Sequence, residues 1–397
     1  MKIKQSTIRI HPGCAAYKLI LMIAATGEFP VRARGLIGAD NVIRHLITRM
    51  QNTGQEYVLY APDNTTSKFT GRLITIVKPE DTFPYRSMRL TKGGRYVLSI
   101  IAPLAYGCYL DDNRSTRQST RDSLMRSCRV GESVAMAALA GCEFQPCSIP
   151  VLQVEECKFQ SITRPVFYQS KILSKVYQCD GEIAKKGSIS RLTGLLVMKD
   201  KPYVVYHTLG FLMKWNGNAE RHKRASLEYI AALNWDTRQP IDSCILFAWE
   251  SKVILETMSA HKSIRVYDAR ITDIYQHIHY IPVTLFGAKL LKTLMVTGGR
   301  SKILEIVFGE NAGEYMCGEI LADAKQGDTY YWTFFDADIQ RIWELKSRMG
   351  KEVPENFIIT CYDGQEDLIK SVLPNRIRLK RLSIDAVLTE IKEENIC

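Results

Sequence analysis

The sequence has no apolar run near the ~18–20 residues of a membrane-spanning helix. Leu19–Ala25 and Val134–Ala140, its longest apolar stretches, reach about a third of that length. No membrane partner is expected. Met1–Ile10 is mixed polar and no apolar h-region follows it, so no secretory leader is expected either. The 11 cysteines are odd in number, include no Cys-x-x-Cys pair, and have no histidine pair at finger spacing beside Cys142 and Cys147. That excludes a disulfide framework and a zinc module, and it points to free thiols in a reducing cytoplasm. Low-complexity segments and obvious internal repeats are also missing. Neither Gly-x-x-x-x-Gly-Lys-Ser/Thr nor Gly-x-Gly-x-x-Gly occurs, and there is no Gly-x-Ser-x-Gly elbow or His-Glu-x-x-His. Gly298-Gly299-Arg300-Ser301-Lys302 is glycine-rich, but the strand-like Ile303–Phe308 after it predicts a turn rather than a phosphate loop.

What is present is ordinary globular chemistry with an uneven charge. An apolar fraction of 46% with 24% charged residues excludes wholesale disorder, and 397 residues suffice for two or three domains. The net charge of +11 comes from 53 basic and 42 acidic side chains. Residues 1–130 hold 20 Lys/Arg against 9 Asp/Glu, whereas residues 131–397 hold 33 of each. The whole excess lies in the first third.

That third reads as helix, helix, helix, hairpin and returning helix. Tyr17–Thr26 forms an apolar helix stopped by Gly27, and Val31–Ile37 a second stopped by Gly38. Asp40 then caps a third, Asn41–Asn52, with Val42, Leu46 and Met50 recurring beside Ile43 and Ile47 as its buried stripe. Two extended runs follow, Tyr57–Tyr60 and Arg72–Val77, joined by a polar loop over Ala61–Lys68. Leu90–Leu98 is the return. This is the order of a winged helix-turn-helix, predicted over residues 1–105. Asn41, Arg44, His45, Thr48 and Arg49 face away from the stripe and suit base edges in a major groove ~12 Å wide. Lys68 and Arg72 suit phosphates, which supply most of the affinity for duplex DNA. The same arginines also suit a solvated face in a protein- or RNA-docking domain.

Residues 106–150 read as a basic helical connector. Arg114, Arg117 and Arg121 recur at i, i+3 and i+7 on one helical face, as a phosphate-tracking extension would place them, or as a solvated helix would. Residues 151–397 read as mixed α/β. Strands are predicted at Leu192–Met198, Tyr203–His207, Cys244–Trp249, Ile264–Tyr267, Tyr275–Val283, Tyr330–Phe335 and Phe357–Tyr362. Helices are predicted at 219–233, 287–296, 339–349 and 366–373. Such alternation favours a partly parallel sheet, whose ligands sit beyond the carboxyl ends of the strands. Asp336 and Asp363 occupy that position, where Asp is more ordinarily a helix N-cap.

A metal-dependent nuclease needs a carboxylate and Glu-x-Lys on adjacent strands. Glu344-Leu-Lys346 and Glu390-Ile-Lys392 fall in helical patterns, and Glu182 and Lys185 stand one residue too far apart. The sharper enzymatic lead is His277-Ile-His279 in a strand-like run, where both imidazoles share a face and suit one Mg or Mn ion. Histidine-hydrophobe-histidine endonucleases are built this way and add a tyrosine nucleophile on a later helix. Tyr315, Tyr330 and Tyr331 lie downstream as candidates, though the last two sit in a strand-like run.

Leu90-Thr-Lys-Gly-Gly, the Arg114–Arg129 segment leading into Ala140-Gly-Cys, and Gly194–Trp215 followed by Glu220 together resemble the replication–relaxation-type proteins of Gram-positive mobile elements. The resemblance spans most of the chain as architecture. It implies an N-terminal winged helix and a C-terminal domain on a restriction-endonuclease-like, degenerate scaffold. The chain departs from that family in lacking an acidic strand motif in the second domain. The expectation is therefore a cytoplasmic, duplex DNA-binding protein of α/β class, without a cofactor, acting in replication, transfer or regulation of a mobile element. Its C-terminal domain would serve protein partners or a homo-oligomer. A His277/His279 endonuclease and a protein-interaction adaptor are the alternatives.

Overall fold

The structure, a computed structural model, describes residues 6–78, 85–112, 120–153, 159–177, 190–198, 201–210, 215–237, 239–259, 268–349, 354–374 and 376–394. These fall into two compact units, one drawn from Met1–Val151 and Val166–Leu173, the other from Leu152–Pro165 and Ser174–Cys397. Among the described residues no helix is long and apolar enough to cross a membrane. The Ile264–Tyr267 strand, the Glu182/Lys185 pair, Arg114 and Arg117 lie outside the described residues, as does the side chain of Arg121.

In the first unit β1 (Ile8–Ile10) leads into α1 (Ala15–Thr26), whose Leu19, Ile20 and Ile23 are fully buried. Cys14 caps α1 by accepting the Tyr17 N–H, and Gly27 ends it at φ +78°, where a Cβ would be penalised. Next come β2 (Phe29–Pro30), a 3-10 turn over Val31–Leu36 where an α-helix is predicted, and α2 (Asp40–Met50). Asp40 is already helical and pairs with Arg34 rather than capping. β3 (Glu56–Tyr60), β4 (Thr66–Thr70), β5 (Ile74–Val77), β6 (Ser87–Leu90), α3 (Lys92–Ile101), α4 (Pro103–Asp112) and α5 (Arg121–Ala140) follow. After them come β7 (Val166–Gln169) and α6 (Ser170–Tyr177).

Two small sheets result. One is antiparallel in the order β2-β6-β5, and the other runs β1-β3-β4 with β1 parallel to β3. The hairpin after α2 therefore differs from expectation. Tyr57–Tyr60 pairs with the polar Thr66–Thr70, read from sequence as loop, while Ile74–Val77 pairs with Ser87–Leu90. One apolar residue suffices for β4, because Phe69 packs on Tyr57 and on Tyr96 of α3. The buried stripe of α2 also shifts. Ile43, Ile47 and Met50 are 0–4% exposed, but Val42 is 56% exposed. α5 is one 20-residue helix that joins the arginine segment to the Val134–Ala140 run. It packs on α1 and on the 3-10 turn, where Arg32 Nε meets the buried Glu132 Oε1 at 2.5 Å. Gly131 permits the approach, since a Cβ there would lie 2.7 Å from the Pro30 ring.

Among the described residues the second unit holds two large sheets of one design and a two-stranded pair of Trp215–Asn216 with Asp268–Ala269. β8 (Leu192–Val197) and β9 (Pro202–His207) form an antiparallel pair. After β10 (Trp215–Asn216), α7 (Gly217–Trp235) crosses to β11 (Ser243–Ala248), parallel to β9. α8 (Ser251–Ser259) and β12 (Asp268–Ala269) lead to β13 (His277–Pro282), parallel to β11, and α9 (Leu285–Leu294) closes this part. All six residues of β8, β9 and β11 are buried, which is why these strands read as unbroken apolar runs. α10 (Gly299–Phe308) and β14 (Ala312–Cys317) precede the second version. There β15 (Ile320–Gln326) pairs antiparallel with β16 (Thr329–Thr333), α11 (Ile339–Arg348) crosses to the parallel β17 (Phe357–Tyr362), and α12 (Glu366–Val372) to the parallel β18 (Arg378–Leu382). α13 (Ile384–Glu394) closes it. The orders β8-β9-β11-β13 and β15-β16-β17-β18 are the same topology, a repeat without a visible trace in the sequence. The predicted strand Ile303–Phe308 is helical instead. Its apolar residues repeat at helical spacing, which outweighs their β propensity.

The register of α2 can be tested directly. Ile47→Ala is expected to cost about 2–5 kcal/mol in urea denaturation, whereas Val42→Ala stays within about 0.5 kcal/mol. The reverse ranking would put Val42, not Ile47, in the core.

Candidate functional site

The exposed face of α2 carries Asn41, Arg44, His45 and Thr48 on successive turns. Asn41 Oδ1 accepts the Val42 N–H, and Thr48 Oγ1 donates to the Arg44 carbonyl, so both leave polar capacity facing outward. Arg49 is different. Its half-buried guanidinium donates to Gln55 Oε1 at 3.1 Å and to the Ser6 carbonyl, which makes it a strut between α2 and the β1-β3-β4 sheet. Lys68 is exposed in the middle of β4, and Arg72 is exposed between β4 and β5. The basic excess narrows further, because Arg89 pairs with Glu28 and Arg32 with Glu132.

A second concentration of chemistry lies where β13 meets the connection after β16. Neither Asp336 nor Asp363 is a helix cap. Asp338 caps α11 by accepting the Gln340 N–H at 3.0 Å, and Gln365 precedes α12. Asp338 is fully buried; Oδ1 also accepts the Ile278 N–H, and Oδ2 lies 2.7 Å from His277 Nδ1. That hydrogen bond raises the His277 pKa against the opposing effect of burial, with the charges of Asp338 and Asp242 adding to it. His279 is buried and directs Nδ1 to the Asp336 carbonyl at 2.7 Å. An ionised carboxylate and a carbonyl can only accept, so each ring donates through Nδ1.

Behind them Asp323 of β15 and Asp336 are bridged by two arginines. Arg341 Nη1 lies 3.0 Å from Asp336 and Nη2 lies 3.2 Å from Asp323, and Arg300 of α10 also pairs with Asp323. Burial alone would raise the Asp336 carboxyl, but Arg341 and Arg300, helped by His279, hold it below the usual carboxylate range. Asp323 also accepts the Thr333 N–H at 2.6 Å. Arg300, Asp323 and Arg341 have no periodic signature, and only the Asp336-Ala-Asp338 spacing after a strand could have pointed here.

Among the described residues, the histidines and tyrosines of the alternative endonuclease reading lie on strands. His277 and His279 share a face of β13, but their rings lie nearly parallel with centroids 6.4 Å apart. Among the described residues no group of three or more His, Cys, Asp or Glu is placed to hold a metal ion. Tyr315 is on β14, Tyr330 and Tyr331 are on β16, and none is on a helix. Tyr331 packs on Phe308, and the ring edge-on to His279 is Tyr203. Glu220, at the start of α7, is buried and satisfied by Ser190 Oγ, Arg191 N and Tyr206 Oη at 2.8–2.9 Å. Burial raises its pKa against those three donors, a closed network with structural rather than reactive character.

Asp336→Asn leaves two arginines facing one carboxylate and is expected to cost about 3–5 kcal/mol by urea denaturation. Asp336 stabilises the fold above the ordinary ~3.9 of Asp, and that contribution is lost as pH falls through its depressed folded value. His277 has the opposite sign. Its contribution is complete below the ordinary ~6.5 of His and disappears as pH rises through its raised folded value. In an NMR titration Asp338→Asn should return His277 towards that ordinary value; an unmoved titration would exclude Asp338 as the cause.

No family model, curated protein or solved structure matches this chain.

Proposed function

We propose that the first unit binds duplex DNA as a winged helix-turn-helix, with α2 in the major groove and the β5–β6 hairpin as the wing. The reading is supported by the order α1, β2, 3-10 turn, α2, β5, β6 and by the antiparallel sheet β2-β6-β5. The observation that carries it is the solvent face of α2. Asn41, Arg44, His45 and Thr48 line it without an acid among them, since Asp40 is tied to Arg34. Asn and Arg make the bidentate contacts that distinguish adenine and guanine. Arg44 is the principal contact, and Arg49 positions the helix. Lys68 and Arg72 take phosphates.

The second unit, electrically balanced and internally paired, is the assembly or partner-docking body, a non-catalytic scaffold. With the resemblance to replication–relaxation-type proteins, the setting is a plasmid or integrated element and the process its replication, transfer or regulation. In a gel-shift titration at low and moderate salt, Arg44→Ala is expected to weaken duplex binding by about 10-fold or more with the thermal unfolding midpoint unchanged. Supercoiled plasmid with Mg²⁺ or Mn²⁺ should be shifted without nicking. Wild-type binding by Arg44→Ala would sink the reading of α2, and nicking with covalent attachment would sink the non-catalytic body.

A further inference from the structure

We propose that the outer face of the β1-β3-β4 sheet is a second contact surface for the duplex phosphate backbone, distinct from both α2 and the β5–β6 hairpin. It rests on the DNA-binding reading of the first unit. The sheet's inner face is settled by Ile8, Ile10, Tyr57 and Leu59, all buried, with Phe69 lying against Tyr57 and Tyr96. Alternation along each strand then turns Arg9, Val58 and Lys68 outward. The register aligns these three as one row, Arg9 opposite Val58 and Val58 opposite Lys68.

Two cations thus flank a half-exposed Val58 on strands whose backbones stand ~10 Å apart across the row. Thr66 and Thr70 are exposed on either side of Lys68 along the β4 edge and add hydroxyl donors. The acid on this face is Glu56, which accepts from Thr7 at the end of the sheet.

The fold leaves the charges of Arg9 and Lys68 uncommitted. Among the described residues neither side chain has a hydrogen-bond or ion-pair partner, whereas Arg32, Arg34, Arg49 and Arg89 of the same unit are each held by a named acceptor. The face is also anchored to the groove helix. Arg49 of α2 and Gln55 before β3 both donate to the Ser6 carbonyl, just ahead of β1. The last turn of α2 therefore meets the residue just ahead of this sheet, so the helix and the sheet are held together as one platform.

The test is fluorescence anisotropy of the full chain with a labelled duplex across a salt series, comparing wild type, Arg44→Ala, the double variant Arg9→Ala/Lys68→Ala and the charge-keeping Arg9→Lys/Lys68→Arg. Each phosphate contact contributes about 0.9 to the slope of log affinity against log salt. The alanine pair should lower that slope by about 2 and weaken binding several-fold at low salt, and the charge-keeping pair should restore both. If Arg44→Ala weakens binding while the alanine pair keeps wild-type slope and affinity, the surface is refuted and the groove helix stands. If the alanine pair loses only binding to a single-stranded probe, the duplex assignment is refuted. If wild type does not bind the duplex at all, both readings fall together.

Discussion

Asp338 uses both carboxylate oxygens at once, and the second unit is organised around that fact. One oxygen takes the amides of Ile278 and Gln340, and the other takes the ring of His277. One buried anion thereby fastens the edge of the first sheet to the start of α11 in the second. The Tyr280 amide bonds to the Ala337 carbonyl alongside it. Ala337 sits at φ +50°, a costly conformation for a residue with a Cβ, and it persists because its neighbours on both sides are pinned. Leu209, at φ +58°, lies in the corresponding connection after β9, so both versions of the design strain the chain as it leaves the strand for the helix. The ionic quartet behind Asp338 adds registration more than surplus stability, since buried ion pairs gain little over well-packed apolar residues.

This separates the two units by the use they make of charge. In the second, Asp323, Asp336, Arg300 and Arg341 neutralise one another within the fold. In the first, acids are few, and three of them are held by arginines. Glu28 holds Arg89, Glu132 holds Arg32 and Asp40 holds Arg34. Exposed cations remain, among them Arg44 on α2 and Lys68 on the β1-β3-β4 sheet, and the proposed function of this unit draws on them.

The sequence was legible where one face or both faces of an element are uniformly buried. β8, β9 and β11 stand out because no position in them faces water, and α1 because Gly27 marks its end. The register of α2 was harder, since Val42 and Ile43 begin two equally apolar series and the packing around the helix decides between them. β4 was hidden because an edge strand held by Phe69 alone needs no hydrophobic pattern. α10 was hidden because Ile306, Val307 and Phe308 carry β-type side chains at helical positions. Of the candidate sites, the polar face of α2 could be read from periodicity, except for Arg49, which turns to Gln55 and Ser6. The Asp338 junction could not, because its members come from positions 277 to 341 and meet through tertiary contact.

In both sheets of the second unit, strand order in space follows strand order in the chain. Each new strand of these sheets pairs with the one laid down before it in the same sheet, across either a tight antiparallel connection or a helical crossover. Loop closure is therefore paid in short instalments, and the unit can assemble progressively as the chain emerges during synthesis. The Asp338 latch spans about 60 residues between two such stretches and needs both to be formed, which places it late in that order.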